Sequence, residues 1–424
     1  CYNYKVGSVY QETKKFMTKI VICGAGFGGS NLALDLEKRL RGDKNIQITL
    51  IDRQDYQLFN PALYEVATAE EELVSLNQLK HGIALPLRRL LVGRKIKFIQ
   101  GQISSINRAD RKVLVGSREV EFDYLVLALG SQTEYFKVQG AQQFSLPLKS
   151  LNDAFRIRNA VGFAVQAHQY DAQKPYVRLV VAGGGYAGVE IAAELAKLAD
   201  ILAWKNSHPR EKIEVVVVEA ANQLLPGFGD QASKDIHRRL LDLGVKIRLL
   251  SPIFKVERNF INLVDGQRLA YDVLIWTTGV RARDCFLDAA CECNKRGQLL
   301  TDEYLRVSGQ THMFALGDMA CTPSIAAAPA TAQAAVAEAK YLAKALPVWM
   351  QNKKPAPFRP KSNPFIVSVG GKWGVFKSGG FYFTGFGPHL LRLGANIRYF
   401  AGLIGWLKAV RLVMFEEKIF SRND

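Results

Sequence analysis

Two short glycine runs carry most of the chemistry open to this chain. Gly24-x-Gly26-x-x-Gly29 and Gly183-x-Gly185-x-x-Gly188 each stand between a buried apolar run and a helical pattern. In such a turn the first glycine makes the bend and the second lets backbone approach a pyrophosphate. The third lets helix and strand pack closely, while the helix N-terminus meets the anion. Phe27 and Gly28 lie inside the first run, Tyr186 and Ala187 inside the second. An acid closes the strand that follows each: Asp52, 23 residues past Gly29, and Glu219. A carboxylate there accepts hydrogen bonds from a ribose diol. One such run is weak evidence because glycine turns are common. Two, each with strand, helix and acid, specify two dinucleotide sites.

The elements around them repeat as well. Phe122-Asp-Tyr-Leu-Val-Leu-Ala-Leu-Gly130 matches Tyr271-Asp-Val-Leu-Ile-Trp-Thr-Thr-Gly279: an aromatic-Asp step, a buried strand, a closing glycine. The fold class is therefore α/β, with two Rossmann-like dinucleotide-binding domains, the second inserted in the first. Residues 17–148 and 281–346 form the outer, FAD-binding domain and 149–280 the inserted NADH-binding domain, with LPLKSLNDAFRIRNAV as the crossing. Residues 347–424 follow as a strand-rich and amphipathic C-terminal membrane-associating segment, and 1–16 are read as an extension ahead of a start at Met17.

Further stretches resemble the type II NADH dehydrogenases, the single-subunit NADH:quinone oxidoreductases. They are LFNPALYEVATA (58–69), ALGSQTEYF (128–136), LKSLNDAFRIR (148–158), GGGYAGVE (183–190), QLLPGF (223–228), IWTTGV (275–280) and FALGDMA (314–320). The resemblance implies non-covalent FAD on Gly24, Gly26, Phe27, Gly28 and Gly29, with Asp52 on the adenosine ribose. Gly130, Gly317 and Asp318 would meet the rest of the flavin nucleotide, Asp318 at its ribityl chain, although a turn aspartate after a strand is the plainer reading. NADH would lie on Gly183, Gly185, Tyr186, Ala187, Gly188, Glu190, Glu219 and Gly279. Glu190 is then the catalytic acid beside nicotinamide and flavin, or only a carboxylate favoured by its helix dipole. Glu219 would repel a 2′-phosphate and Ala220-Ala221 provide no arginine to receive one, so NADH is expected over NADPH.

In APATAQAAVAEAKYLAKAL (328–346) the family's A-Q-x-A-x-Q-x-G reads Ala332-Gln333-Ala334-Ala335-Val336-Ala337-Glu338-Ala339. The resemblance makes Ala332 and Gln333 a flavin-facing wall, with Gln333 a polar contact for the acceptor. Ala337 stands where the family has its second glutamine, and Glu338, a quarter-turn away, does not replace it. The turn Ala330–Gln333, opened by Pro329, is expected to aim a helix N-terminus at the anionic reduced flavin.

Six cysteines have no zinc spacing, no metal site is expected, and reduced thiols fit a cytosolic setting. The helix after Gly29 carries no redox cysteine pair, and no cysteine follows Cys321, which disfavours disulfide and sulfide:quinone reductases. Cys291 and Cys293, in CECNKRG, read as a surface turn. The formal charge of +17 calls for an anionic partner, and no base-reading motif points to nucleic acid. HLLRLGANIRYFAGLIGWLKAVRLVMF sets Arg392, Arg398, Lys408 and Arg411 among apolar residues with no acid. That composition suits a helix in the interface of an anionic membrane, placing residues 389–424 peripherally on the cytoplasmic face of a bilayer. Its alternative is packing on the core or on a second copy, a homodimer. The function expected is non-proton-pumping NADH:quinone oxidoreduction. The rivals are a flavoprotein reductase with another acceptor and a flavin- and NADH-binding redox sensor without rapid turnover.

Overall fold

The computed structural model describes residues 17–420 apart from 71–73, 170–174, 206–208, 285–290, 325–330 and 361–363. The readings of residues 1–16, Cys285 and Pro329 lie outside the described residues. Two sheets of five parallel strands form the frame. The first runs Met313–Ala315, Tyr124–Leu127, Thr18–Cys23, Ile46–Asp52, Ile96–Gln100. The second runs Leu146–Pro147, Val273–Trp276, Val177–Ala182, Ile213–Val218, Lys246–Arg248 in the same order. Strands such as IVIC and VVVV are buried without alternation, as parallel strands covered on both faces require. Each sheet also carries a three-stranded antiparallel meander, Ile103–Asn107 to Arg118–Glu121 and Ile253–Glu257 to Arg268–Ala270.

The aromatic-Asp step has a structural task in both copies. Asp123 accepts a hydrogen bond from the Lys19 N–H at 2.7 Å, and Asp272 one from Arg178 at 2.8 Å. Each carboxylate thus satisfies an otherwise orphaned donor at the start of the central strand. Phe122 and Tyr271 are buried beside them.

Helices α1 (Phe27–Leu40) and α2 (Leu63–Ala67) belong to the first half. The crossing delivers α3 (Leu151–Gln169), whose Ser150 and Asp153 bond reciprocally at its start. Helix α4 (Tyr186–Lys205) follows the second glycine run. The alanine helix, α5 (Ala332–Met350), packs along α1, burying Ala335, Ala339 and Ala343. Its small side chains let the two backbones approach, and a leucine at Ala339 would overpack them by roughly 1–3 kcal/mol. The helix runs on through Pro347 to Met350, past the start of the C-terminal segment expected at residue 347. Trp349 holds that last turn by meeting Tyr304 edge-on at 5.6 Å under Arg306 at 4.9 Å.

The C-terminal part is a sheet of Phe365–Ser368, Gly374–Ser378 and Phe381–Gly385, then α6 (Phe386–Ile404) and α7 (Trp406–Phe420). The sequence led to one interfacial helix here; the structure has two. Gly405, at φ +84°, breaks them, a conformation a side chain would strain. Phe400, Leu403, Ala409, Val413 and Ile419 turn inward to the core. Leu390, Leu391, Trp406, Leu407 and Met414 face outward. Arg392, grouped with the outward cations from sequence, points inward to Glu65. No helix among the described residues is long and apolar enough to cross a membrane.

Candidate active site

One cavity of about 600 Å³ gathers residues from both halves. Gly24, Gly26, Phe27, Gly28, Asp52, Gly130, Gly317, Asp318 and Ala332 line it, and so do Tyr186, Ala187 and Glu190 from the start of α4. Backbone geometry explains the glycines. A Cβ on Gly24 would sit 2.3 Å from the Ala128 carbonyl oxygen, and one on Gly29 1.8 Å from that of Gly24. A Cβ on Gly26 would meet nothing, because that residue faces open space where a diphosphate could lie. The second run repeats this: Gly183 at 2.8 Å from Thr278, Gly188 at 1.9 Å from the Gly183 oxygen, Gly185 open.

The two acids are held alike. Asp52 accepts from the N–H groups of Ala25 at 2.6 Å and Gln54 at 2.8 Å. Glu219 accepts from Gly184 at 2.5 Å and Ala221 at 2.7 Å. Each carboxylate therefore steers the glycine turn while keeping lone pairs for a ribose. Burial raises the Asp52 carboxyl, and the two backbone bonds, Arg53 and Arg283 pull the other way.

The part of the cavity expected to meet the flavin was only partly legible. Asp318 accepts a hydrogen bond from the Ser131 hydroxyl, which fixes its orientation. Thr331 caps α5, its hydroxyl accepting from the Ala334 N–H at 3.2 Å. Ala332 and Ala335 line the cavity, whereas Gln333 is exposed and is not among the lining residues. Glu338 does face away from the Gln333–Ala337 side, and its carboxylate accepts from the Gly317 N–H at 2.5 Å. Burial pushes that carboxyl up to about 7.

Glu190 stands where the halves meet. Its carboxylate takes a long contact from the Ser368 N–H at 3.5 Å. Burial pushes it up to about 8; Arg392 and the Ser368 bond lower it, and Glu65 and Glu194 raise it further. Burial thus outweighs Arg392 and the Ser368 bond and favours the protonated form of Glu190. Lys149, Arg53 and Arg283 also line the cavity and had no mark in the sequence beyond their charge.

A family model described as pyridine nucleotide-disulphide oxidoreductase matches residues 18–339. The chain belongs to that family. Among curated relatives, the type II NADH:quinone oxidoreductase of Mycobacterium tuberculosis is 29% identical over 91% of this chain and 84% of its own length. That of Staphylococcus haemolyticus is 26% identical over 84% and 89%. Among solved structures, NDH2 of Plasmodium falciparum in complex with NADH superposes with a TM-score of 0.80 at 18% identity, over 95% of this chain and 98% of that one. The sulfide:quinone oxidoreductase of Aquifex aeolicus gives 0.72 at 18%, over 93% and 92%. Helix α1, after the first glycine run, contains no cysteine.

Proposed function

We infer that this protein is an FAD-dependent NADH:quinone oxidoreductase resting on a bilayer surface. The observation that carries the reading is the shared cavity lined by Asp318 and the first glycine run on one side and by Tyr186 and Ala187 of the second run, with Glu190 beyond it, on the other. Such a cavity brings two dinucleotides to one meeting point. Bound flavin would supply the two-electron chemistry between NADH and the quinone. The protein contributes orientation and electrostatics.

The open backbone at Gly26 and the α1 N-terminus hold a diphosphate, Asp52 a ribose, and Asp318, aligned by Ser131, the ribityl chain. The matching turn at Gly185 and Glu219 holds NADH. Glu190 keeps a proton at its carboxyl beside the cavity, where quinone reduction needs one. Residues 17–148 and 281–346 serve FAD and residues 149–280 NADH. The hairpin α6–α7 faces the cytoplasmic leaflet of an anionic membrane. Trp406, 64% exposed, and Leu407, 80% exposed, reach the acyl boundary, and Lys408 and Arg411 the headgroups. A second copy of the chain is the competing cover for that face.

The test is steady-state NADH oxidation by FAD-loaded protein on liposomes with ubiquinone and menaquinone analogues. A clear rate gain over oxygen is expected, and no gain with any quinone would defeat the reading.

A further inference from the structure

The turn that follows Glu219 is bent harder than its residues favour. Leu225 is buried and stands at φ +49°, in the left-handed region that a bulky side chain avoids, and Gly227 and Gly229 follow at +90° and +100°. Such a turn persists only where its surroundings over-determine it. On one side it lies against the second glycine run. The Leu225 N–H donates to the Gly184 oxygen at 2.9 Å, and a Cβ on Gly184 would sit 2.6 Å from Leu224 Cδ2.

The other side is held by the C-terminal sheet. Lys377, on the strand Gly374–Ser378, donates from Nζ to the Phe228 oxygen at 2.5 Å and stands 5.9 Å from the centre of the Phe228 ring. Phe365, on the first strand, meets the Phe228 ring edge-on at 5.1 Å and stacks on Tyr186 at 6.0 Å. Tyr186, which lines the cavity, closes the triangle by meeting Phe228 edge-on at 5.4 Å. Tyr382, on the third strand, donates to Asp235 at 2.6 Å, in the helix Asp230–Asp242 that leaves the turn. All three strands thus grip the turn or the helix behind it. The ammonium of Lys377 makes the charge-assisted tie among them, and it falls on the last carbonyl of the bend.

We propose that the C-terminal sheet completes the NADH site, with Lys377 and Phe365 as positioning residues: they press the Leu225–Gly229 turn onto Gly184 and hold Tyr186 at the cavity, and so set the affinity for the nucleotide. The segment that carries the bilayer-facing hairpin is then also a working part of the nucleotide-binding half. This rests on the reading of the second glycine run as the NADH site.

The test uses flavin-loaded full-length protein and three readouts: calorimetric titration with NAD, the NADH dependence of rapid-mixing flavin reduction, and amide hydrogen exchange. Lys377→Met is expected to weaken nucleotide binding about tenfold, the size of one charge-assisted hydrogen bond, with flavin occupancy kept. The limiting reduction rate at saturating NADH should stay within about twofold, because a positioning loss paid in binding leaves the bound geometry intact. Exchange in residues 224–229 should quicken about tenfold as the turn loosens locally. Lys377→Arg, which can still donate to the Phe228 oxygen, should keep most of the affinity. Unchanged affinity in Lys377→Met, a loss that Lys377→Arg shares in full, or a loss without faster exchange in 224–229 overturns the proposal. Should Lys377→Met fail to hold flavin, Phe365→Leu decides instead. It keeps an apolar side chain but removes the ring contacts with Tyr186 and Phe228, so affinity should fall about threefold, and an unmoved value overturns the idea. Wild-type protein that binds no NADH would defeat the proposed function, whereas wild-type binding that Lys377→Met leaves untouched defeats this inference alone.

Discussion

The two glycine turns are near copies in geometry and differ in what surrounds them. Both are clamped by an acid that accepts from the residue after the first glycine and from a second N–H two residues beyond itself. Around Asp52 stand Arg53 and Arg283, whose charges act on it, and the helix that follows is buried against the alanine-rich α5. Glu219 is followed by Ala220 and Ala221, and its helix α4 instead meets the C-terminal sheet through Glu190, Glu194 and Tyr186. The lesson is that two near-identical cradles differ through their surroundings. One turn opens a helix that packs against α5. The other ends in an acid that reports on a third, C-terminal part.

The sharpest way to break this comparison is one methyl group placed at equivalent positions. Gly29→Ala puts a Cβ about where the Gly24 oxygen lies, and Gly188→Ala repeats this against Gly183. Gly29→Ala is expected to lose most bound flavin, at least tenfold in occupancy by visible absorption. Gly188→Ala should keep its flavin yet lose at least tenfold in NADH-driven reduction. Equal flavin loss in both variants would mean that the turns are not functionally separate.

A smaller effect tests the two acids. Glu219→Gln removes the charge that would repel a 2′-phosphate and leaves one acceptor oxygen for the two N–H groups of the clamp, as Asp52→Asn does at the other turn. The ratio of kcat/KM for NADH over NADPH should fall about tenfold, and the corresponding Asp52→Asn should leave that ratio unmoved. An unchanged ratio in Glu219→Gln would remove the ribose role.

The hairpin comes next. Truncation at residue 389 would strip Phe400, Leu403, Val413 and Arg392 from the interior as well as the outward face, so surface substitutions are the cleaner probe. The double variant Trp406→Glu, Leu407→Glu should reduce binding to anionic liposomes about tenfold in a flotation assay, with NADH-to-dye turnover within twofold of wild type. Undiminished flotation would move the contact surface elsewhere.

The smallest expected effect concerns Glu338, which joins α5 to the Gly317 turn. Its carboxyl rises from an ordinary 4.5 to about 7, so the fold favours the protonated form. The stability this contributes is complete below about 4.5 and is lost as pH climbs through about 7. Glu338→Gln stays neutral throughout and should flatten that loss. Its Tm relative to wild type is expected to rise by about 2 °C between pH 5 and 8, the size of ~1 kcal/mol in a large domain. A constant difference across that range would show that Glu338 does not titrate there.

Much of this protein was legible as a repeated pattern. Paired glycines, the acid after each, and the aromatic-Asp step recur in the same order in both halves, so Gly24, Asp52, Gly183 and Glu219 could be placed from their spacing although their bonds span 27 to 104 residues. The inward and outward faces of α6 and α7 could not. Periodicity marks an apolar stripe, but Arg392 and Arg398 look alike until the core supplies Glu65 for one and solvent for the other. Gln333 and Glu338 differ for the same reason: the sequence puts both on one helix, and the packing of α5 on α1 turns one outward and the other onto Gly317. Spacing along the chain thus marked the two cradles, because the glycine turn and the acid that clamps it, 27 residues past Ala25 in one copy and 35 past Gly184 in the other, recur as one strand–turn–helix–strand unit. Only the tertiary structure decided which buried charge Arg392 meets, because Glu65 lies 327 residues away along the chain and the pair depends on how α6 packs on α2.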